Sequence, residues 1–192
     1  RLVGSEMCIR DRIKDYKKMI TMDLKEIDNL VLVIGKTEGH IDQSLFARNI
    51  LDEKNGPPPD INLFNEKNNW ETVLKLIDNN LIKSAHDVSL GGIITAVAKM
   101  CIKGKKGINI KKPKYLINEI EYLFAEDQGR YIIEINKKDF KKVADILNKN
   151  AVHFDELGTI IENELYINDK TKVTIDELST SNKSWLINYI SK

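Results

Sequence analysis

Residues 83–110 read KSAHDVSLGGIITAVAKMCIKGKKGINI, and the fold class turns on how this stretch is parsed. Residues 83–88 form a brief strand candidate ending at His86 and Asp87. Gly91-Gly92 then opens residues 93–102, an apolar segment of helical length that reads as buried on most sides. Gly104 ends that helix and residues 107–110 begin another strand. A strand, a glycine turn, a helix and a second strand in so short a span call for a sheet with helices laid on it.

The flanking sequence extends this pattern. Residues 30–37 (LVLVIGKT) are a β-branched apolar run stopped by Gly35, which suits a buried strand. Residues 42–54 carry helical spacing, with Leu45, Phe46, Asn49 and Ile50 in register. NGPPPD at 55–60 is a stiff extended connector, because three consecutive prolines fit neither helix interior nor central strand. Leu63, Trp70, Val73, Leu74, Ile77 and Leu81 recur at three and four, predicting a long amphipathic helix. Residues 123–125 and 130–135 read as strands on either side of a turn at Asp127-Gln128-Gly129. Residues 139–150 predict a helix with Phe140, Val143, Ile146 and Leu147 on its core face. Residues 159–161, 164–167 and 172–175 suggest a meander turned at Asn168-Asp169. Residues 184–190 suggest a closing helix, with Trp185 and Tyr189 on one side. Strands and helices mix without strict alternation, so the expected fold class is α+β, one mixed sheet with helices packed on it.

Composition bounds the function. The 192 residues include 42% hydrophobic and 31% charged residues, enough apolar material for a core. Thirty Lys and Arg against 29 Asp and Glu leave a net charge of +1, which argues against nucleic acid or a membrane surface as a general electrostatic partner. The longest apolar runs, such as residues 30–34, fall far short of the roughly 20 residues that span a bilayer. Two cysteines, Cys8 and Cys101, make no disulfide framework or metal spacing, and they suit a reducing, cytoplasmic setting. Residues 1–12 (RLVGSEMCIRDR) have neither period nor signal-peptide character and are expected to be a non-native or disordered terminus. Residues 13–29 are expected to link to an upstream domain, and 30–192 to form the domain proper.

Three clusters can carry chemistry. In AHDVSLGG (residues 85–92), free N–H groups at a helix start suit a phosphate, and Gly91 and Gly92 allow its close approach. Asp87 can hold magnesium there, while Ser89 can instead cap the helix. Glu126, Asp127 and Gln128 place two carboxylates and an amide at a strand end, suited to magnesium or polar ligand groups; a solvated turn is the alternative. His40, Asp42, Gln43 and Ser44 lie at a helix start, where Asp42 and Ser44 read as caps. No GxxxxGK[ST] or GxGxxG motif is present. Lysines 103, 105, 106, 111, 112 and 114 make either a solvated rim or a phosphate-attracting edge.

Taken in order, GKTEGHIDQSLFARNI, GPPPDINL, KSAHDVSLGGIITAVAKM and LFAEDQGRYIIEI resemble one family. From about Leu30 onward the chain resembles the carboxy-terminal domain of phosphoribosylformylglycinamidine synthase, in its synthetase subunit. The resemblance implies an ATP- and Mg2+-dependent ligase that turns formylglycinamide ribonucleotide and glutamine-derived ammonia into formylglycinamidine ribonucleotide, with ADP and phosphate released. It implies ligand-binding roles, by pseudo-symmetry with another copy of the domain, for Gln43, His86, Asp87, Ser89, Gly91, Gly92, Glu126 and Gln128, with Asp87 on the metal. It also implies that the catalytic histidine and main ATP lysine lie in further domains, and that a separate glutaminase subunit supplies ammonia. The fragment alone is then expected to be inert. The family pattern usually has an acidic residue where Leu90 stands. Other members of the superfamily, such as aminoimidazole ribonucleotide synthetase, selenophosphate synthetase or the hydrogenase-maturation dehydratase, and a non-catalytic scaffold module are the alternatives.

Overall fold

A computed structural model describes residues 15–111, 113 and 118–191, apart from the side chains of residues 185–188. Its centre is a seven-stranded sheet: β1 (Leu30–Ile34), β2 (Ser84–Asp87), β3 (Gly107–Ile110), β4 (Tyr131–Ile135), β5 (Phe154–Ile161), β6 (Glu164–Ile167) and β7 (Thr171–Thr174). The spatial order is β2-β4-β1-β5-β3-β6-β7, antiparallel throughout except for the β3–β6 pair. The helices are α1 (Leu45–Asn49), α2 (Leu63–Asp78), α3 (Gly92–Gly104), α4 (Glu119–Phe124), α5 (Phe140–Lys149) and α6 (Ile175–Ile190). The α+β expectation therefore holds.

The sheet is buried on both faces, and strand alternation sorts the core into two clusters. Val31, Val33 and Ile132 point to one side, against Ile93, Val97 and Met100 of α3 and Tyr122 and Leu123 of α4. Leu32, Ile34, Ile133 and Ile135 point to the other, against Val73 and Leu76 of α2 and Val143 and Leu147 of α5. Two-sided burial explains why the central strands read as continuous apolar runs. Gly104 has a specific reason to be glycine: a Cβ there would lie 2.5 Å from the Leu24 carbonyl oxygen and 2.6 Å from its nitrogen. The chain before β1 thus lies directly on the end of α3, with Leu24 buried.

Several sequence expectations are corrected. The helix expected over residues 42–54 shrinks to α1, because Gln43 and Asp52 take left-handed φ of 62° and 54° and interrupt it. Residues 123–125 are not a strand; Leu123 lies in α4, whose start is capped by Asn118 Oδ1 accepting from the Ile120 N–H at 2.9 Å. The buried stripe of α2 is Asn69, Thr72, Val73 and Leu76, whereas Leu63, Trp70 and Leu74 are exposed. The meander is broken because β3 inserts between β5 and β6. Its remaining hairpin, β6–β7, turns where expected: Asn168 and Asp169 have φ of 51° and 56°, the left-handed pair of a type I′ turn. The closing helix is longer than 184–190, spanning all of α6; Tyr189 is exposed, and the Trp185 side chain lies outside the described residues.

Cys101 sits in the core with its thiol pushed up to about 12 by burial. An unfolded thiol ionises near 9, so stability present below pH 9 is lost as pH rises toward 12. With Cys8 replaced by serine, the native chain at pH 8 should react with an aromatic disulfide reagent at least about a hundredfold more slowly than the urea-unfolded chain. Equal rates would place Cys101 at the surface.

Candidate functional site

Strand β2 delivers His86 and Asp87 to its carboxyl end, where they form a contact of 2.9 Å between His86 Nδ1 and Asp87 Oδ1. The Asp87 side chain is 63% exposed, and its second oxygen has no partner among the described residues. The chain then turns through Ser89 and Leu90 into α3. Gly91 and Gly92 have φ of 83° and 70°, values that L side chains rarely adopt. At Gly92 a Cβ would also lie 2.6 Å and 2.7 Å from the carbonyl oxygens of Leu123 and Ala125. Gly92→Ala should therefore cost at least about 2 kcal/mol, read as a lower urea midpoint. A midpoint unchanged from the parent would mean the turn relaxes freely.

The start of α3 is not the open cradle the sequence suggested. Glu126 Oε1 accepts from the Gly91 N–H at 2.8 Å and from the Leu45 N–H at 2.8 Å, so one carboxylate clips the starts of α1 and α3 together. The expected cap at Ser89 is also corrected: no side chain caps α3, and it is the Ser89 carbonyl that accepts from the Gly92 N–H at 3.0 Å. Ser44 does cap α1, accepting from the Ala47 N–H at 3.1 Å. Gln43 lies beside this clip, its Nε2 donating to the carbonyls of Lys54 (2.9 Å) and Gly56 (3.2 Å). His40 Nε2 meets the Pro57 carbonyl at 2.9 Å. These bonds hold the proline connector against residues 40–44.

Asp127 is nearly buried and acts as a loop organiser, accepting from the N–H groups of Glu38 (3.1 Å), Gly39 (3.2 Å) and His40 (3.2 Å). Behind it lies Arg130, 1% exposed, which donates to Thr37 Oγ1 and to the carbonyls of Ala125 and Asp127 at 2.7–3.2 Å. Neither role was legible beforehand: Arg130 read as the first residue of a strand. Exposed Gln128 opens onto a polar cavity of about 500 Å3, with Lys36, Glu38, Asp60, Glu66 and Asn69 on its walls. Tyr131 links cavity and turn electrostatically. Its phenol is pushed up chiefly by burial and further by the Glu66 and Asp87 carboxylates.

The sequence-picked residues thus divide. Glu126, Gly91 and Gln43 spend hydrogen-bonding groups inside the chain. The Asp87 second oxygen, His86 Nε2, Ser89 Oγ and the Gln128 amide remain available to a ligand. Among the described residues, no group of three or more His, Cys, Asp or Glu side chains can hold a metal ion. The donor set fits magnesium only as an ion shared with phosphate oxygens and water, through Asp87. No helix among the described residues is long and apolar enough to cross a membrane.

A family model described as AIR synthase related protein, C-terminal domain, matches residues 26–170. The chain is 70% identical over 178 residues to a protein of Pelagibacter ubique (strain HTCC1062) named phosphoribosylformylglycinamidine synthase subunit PurL; the match covers 93% of this chain and 24% of that protein. Identity to the protein of the same name from Bartonella henselae is 33% over 180 residues, covering 94% and 24%. The chain therefore spans about a quarter of the length of these curated relatives. Among solved structures, "T. maritima PurL complexed with FGAR" superposes with a TM-score of 0.72 at 18% identity, over 85% of this chain and 30% of that one. A thiamine-monophosphate kinase from Stenotrophomonas maltophilia K279a does so with a TM-score of 0.56 at 10% identity, over 79% and 54%. These likenesses are of fold.

Proposed function

We propose that this chain, which belongs to the AIR synthase related protein, C-terminal domain family, supplies one domain of an ATP-dependent carbon–nitrogen ligase of de novo purine biosynthesis. The proposed reaction takes formylglycinamide ribonucleotide, ATP and glutamine-derived ammonia to formylglycinamidine ribonucleotide, ADP and phosphate. The observation that carries it is 70% identity, over 93% of this chain, to a protein bearing that synthase's name. The same identity favours this ligase over the thiamine-monophosphate kinase and other enzymes built on the fold.

In this reading the chain binds and orients a phosphorylated ligand rather than performing the chemistry. Glu126 fixes the glycine turn, Gln43 fixes the neighbouring loop, and His86, Asp87, Ser89 and Gln128 present free polar atoms. Magnesium would be held by Asp87 together with ligand phosphates and would offset their negative charge. Acid–base groups and the main triphosphate anchor belong to the remaining domains of a longer polypeptide, and ammonia to a separate glutaminase chain, in a cytoplasmic setting. Residues 1–12 contribute nothing to this role, and 30–192 form the domain, with residues 13–29 leading in from the preceding domain and their later part, Leu24 to Asn29, packed onto it.

A second reading is a scaffold module without ligand. The closed hydrogen bonds of Glu126 and Gln43 favour it, since they occupy groups a ligand would use. Thermal-shift titration with ADP and magnesium separates the two. The ligand reading predicts an additional, magnesium-dependent stabilisation that disappears in Asp87→Asn; no magnesium-dependent shift in the parent chain selects the scaffold. Mixed with formylglycinamide ribonucleotide, ATP, magnesium and ammonium, the purified chain should give no product. Turnover would overturn the assignment of the chemistry to other domains.

A further inference from the structure

We propose that the groove between the end of α3 and the start of α6 binds a nucleoside polyphosphate. It lies at the opposite end of α3 from the glycine turn and has a volume of about 960 Å3, within the roughly 300–1,000 Å3 typical of small-molecule sites. Four ammonium groups border it, those of Lys99, Lys103, Lys105 and Lys183, against one carboxylate, Asp176. None of the four is paired with a carboxylate among the described residues. That is a local excess in a chain whose total charge is nearly balanced. Lys99 and Lys103 stand four residues apart on one helix face, where like charges repel, and an anion between them removes that penalty.

The groove is also lined by apolar Met22, Ile102 and Ile175. Cations and apolar side chains bordering one groove match a ligand that carries both phosphates and a flat, weakly polar ring. The start of α6 is not the recognition element. Thr174 and Glu177 close it as a capping box, with Thr174 N–H to Glu177 Oε2 at 2.9 Å and Glu177 N–H to Thr174 Oγ1 at 3.2 Å. Recognition therefore falls to the lysines, and affinity must drop as salt screens them.

The test is calorimetric titration of ATP and of inorganic triphosphate into the purified chain, at low salt with chelator present and no magnesium. Omitting magnesium silences any site that depends on Asp87, so this result stands or falls apart from the function proposed above. ATP should bind at one site, and Lys103→Glu/Lys183→Glu should weaken it at least tenfold. The control Lys137→Glu/Lys138→Glu, on a 3-10 turn outside the groove, should stay within twofold. Far-UV circular dichroism identical to the parent confirms that the charge-reversed chain folds. No saturable binding by the parent, or equal loss in the control pair, overturns the site. Triphosphate binding as tightly as ATP overturns the nucleoside assignment.

Discussion

Glu134→Ala should lower the free energy of unfolding by about 3–5 kcal/mol, among the largest effects available to a single side chain here. Glu134 lies in β4, fully buried, between β2 and β1. Its carboxylate accepts from the Lys25 N–H (2.9 Å), the Glu26 N–H (3.1 Å), Asn29 Nδ2 (2.7 Å) and Ser84 Oγ (2.8 Å). A buried carboxylate without an adjacent cation is tolerable only when its oxygens are saturated in this way. Alanine strands four donors in a place water reaches poorly. Glu134→Gln keeps one acceptor oxygen and turns an amide N–H toward donors, so about half the loss should remain. Urea denaturation measures both. An alanine variant within about 1 kcal/mol of the parent would mean those donors find other partners.

Arg130→Met is the second large effect, at about 2–4 kcal/mol. The guanidinium ties residues 37, 125 and 127 into one unit and lies 3.7 Å from the Asp127 carboxylate. Methionine fills much of the volume but satisfies neither carbonyl. Lysine restores the charge without the planar fork, and it should recover less than half the loss. The more specific readout is amide hydrogen exchange. The N–H groups of Glu38, Gly39 and His40, held by Asp127, should exchange at least about tenfold faster in Arg130→Met. Unchanged exchange there would separate Arg130 from the loop it is argued to hold.

Glu134 also shows where sequence reading reaches its limit. Apolar periodicity located β1, β3, β4, α3 and α5 because each depends on burial of its own residues. RYIIEI reads as a strand whether or not its glutamate is buried, since the partners of that glutamate lie far along the chain, at Ser84 and at residues 25, 26 and 29. The same holds at the site. Local pattern placed His86, Asp87 and the glycine pair at a strand-to-helix turn, as found. It could not reveal that Glu126, over thirty residues on, would occupy the Gly91 N–H. That contact exists only once α4 has packed beside α3. The short α1 was misjudged for a different reason: Gln43 and Asp52 adopt left-handed backbone that residue type alone does not demand.

A chain that serves as the ligand-orienting domain of an amidine-forming ligase, as proposed above, should do so when grafted into a relative. In the Pelagibacter relative, the segment matched by this chain is replaced by this sequence, and ammonia-dependent formation of formylglycinamidine ribonucleotide is measured beside the unmodified protein and one lacking the segment. Activity within about tenfold of the unmodified protein is expected for the chimera and none for the truncated form. A folded chimera without activity, or a truncated protein as active as the parent, would contradict it.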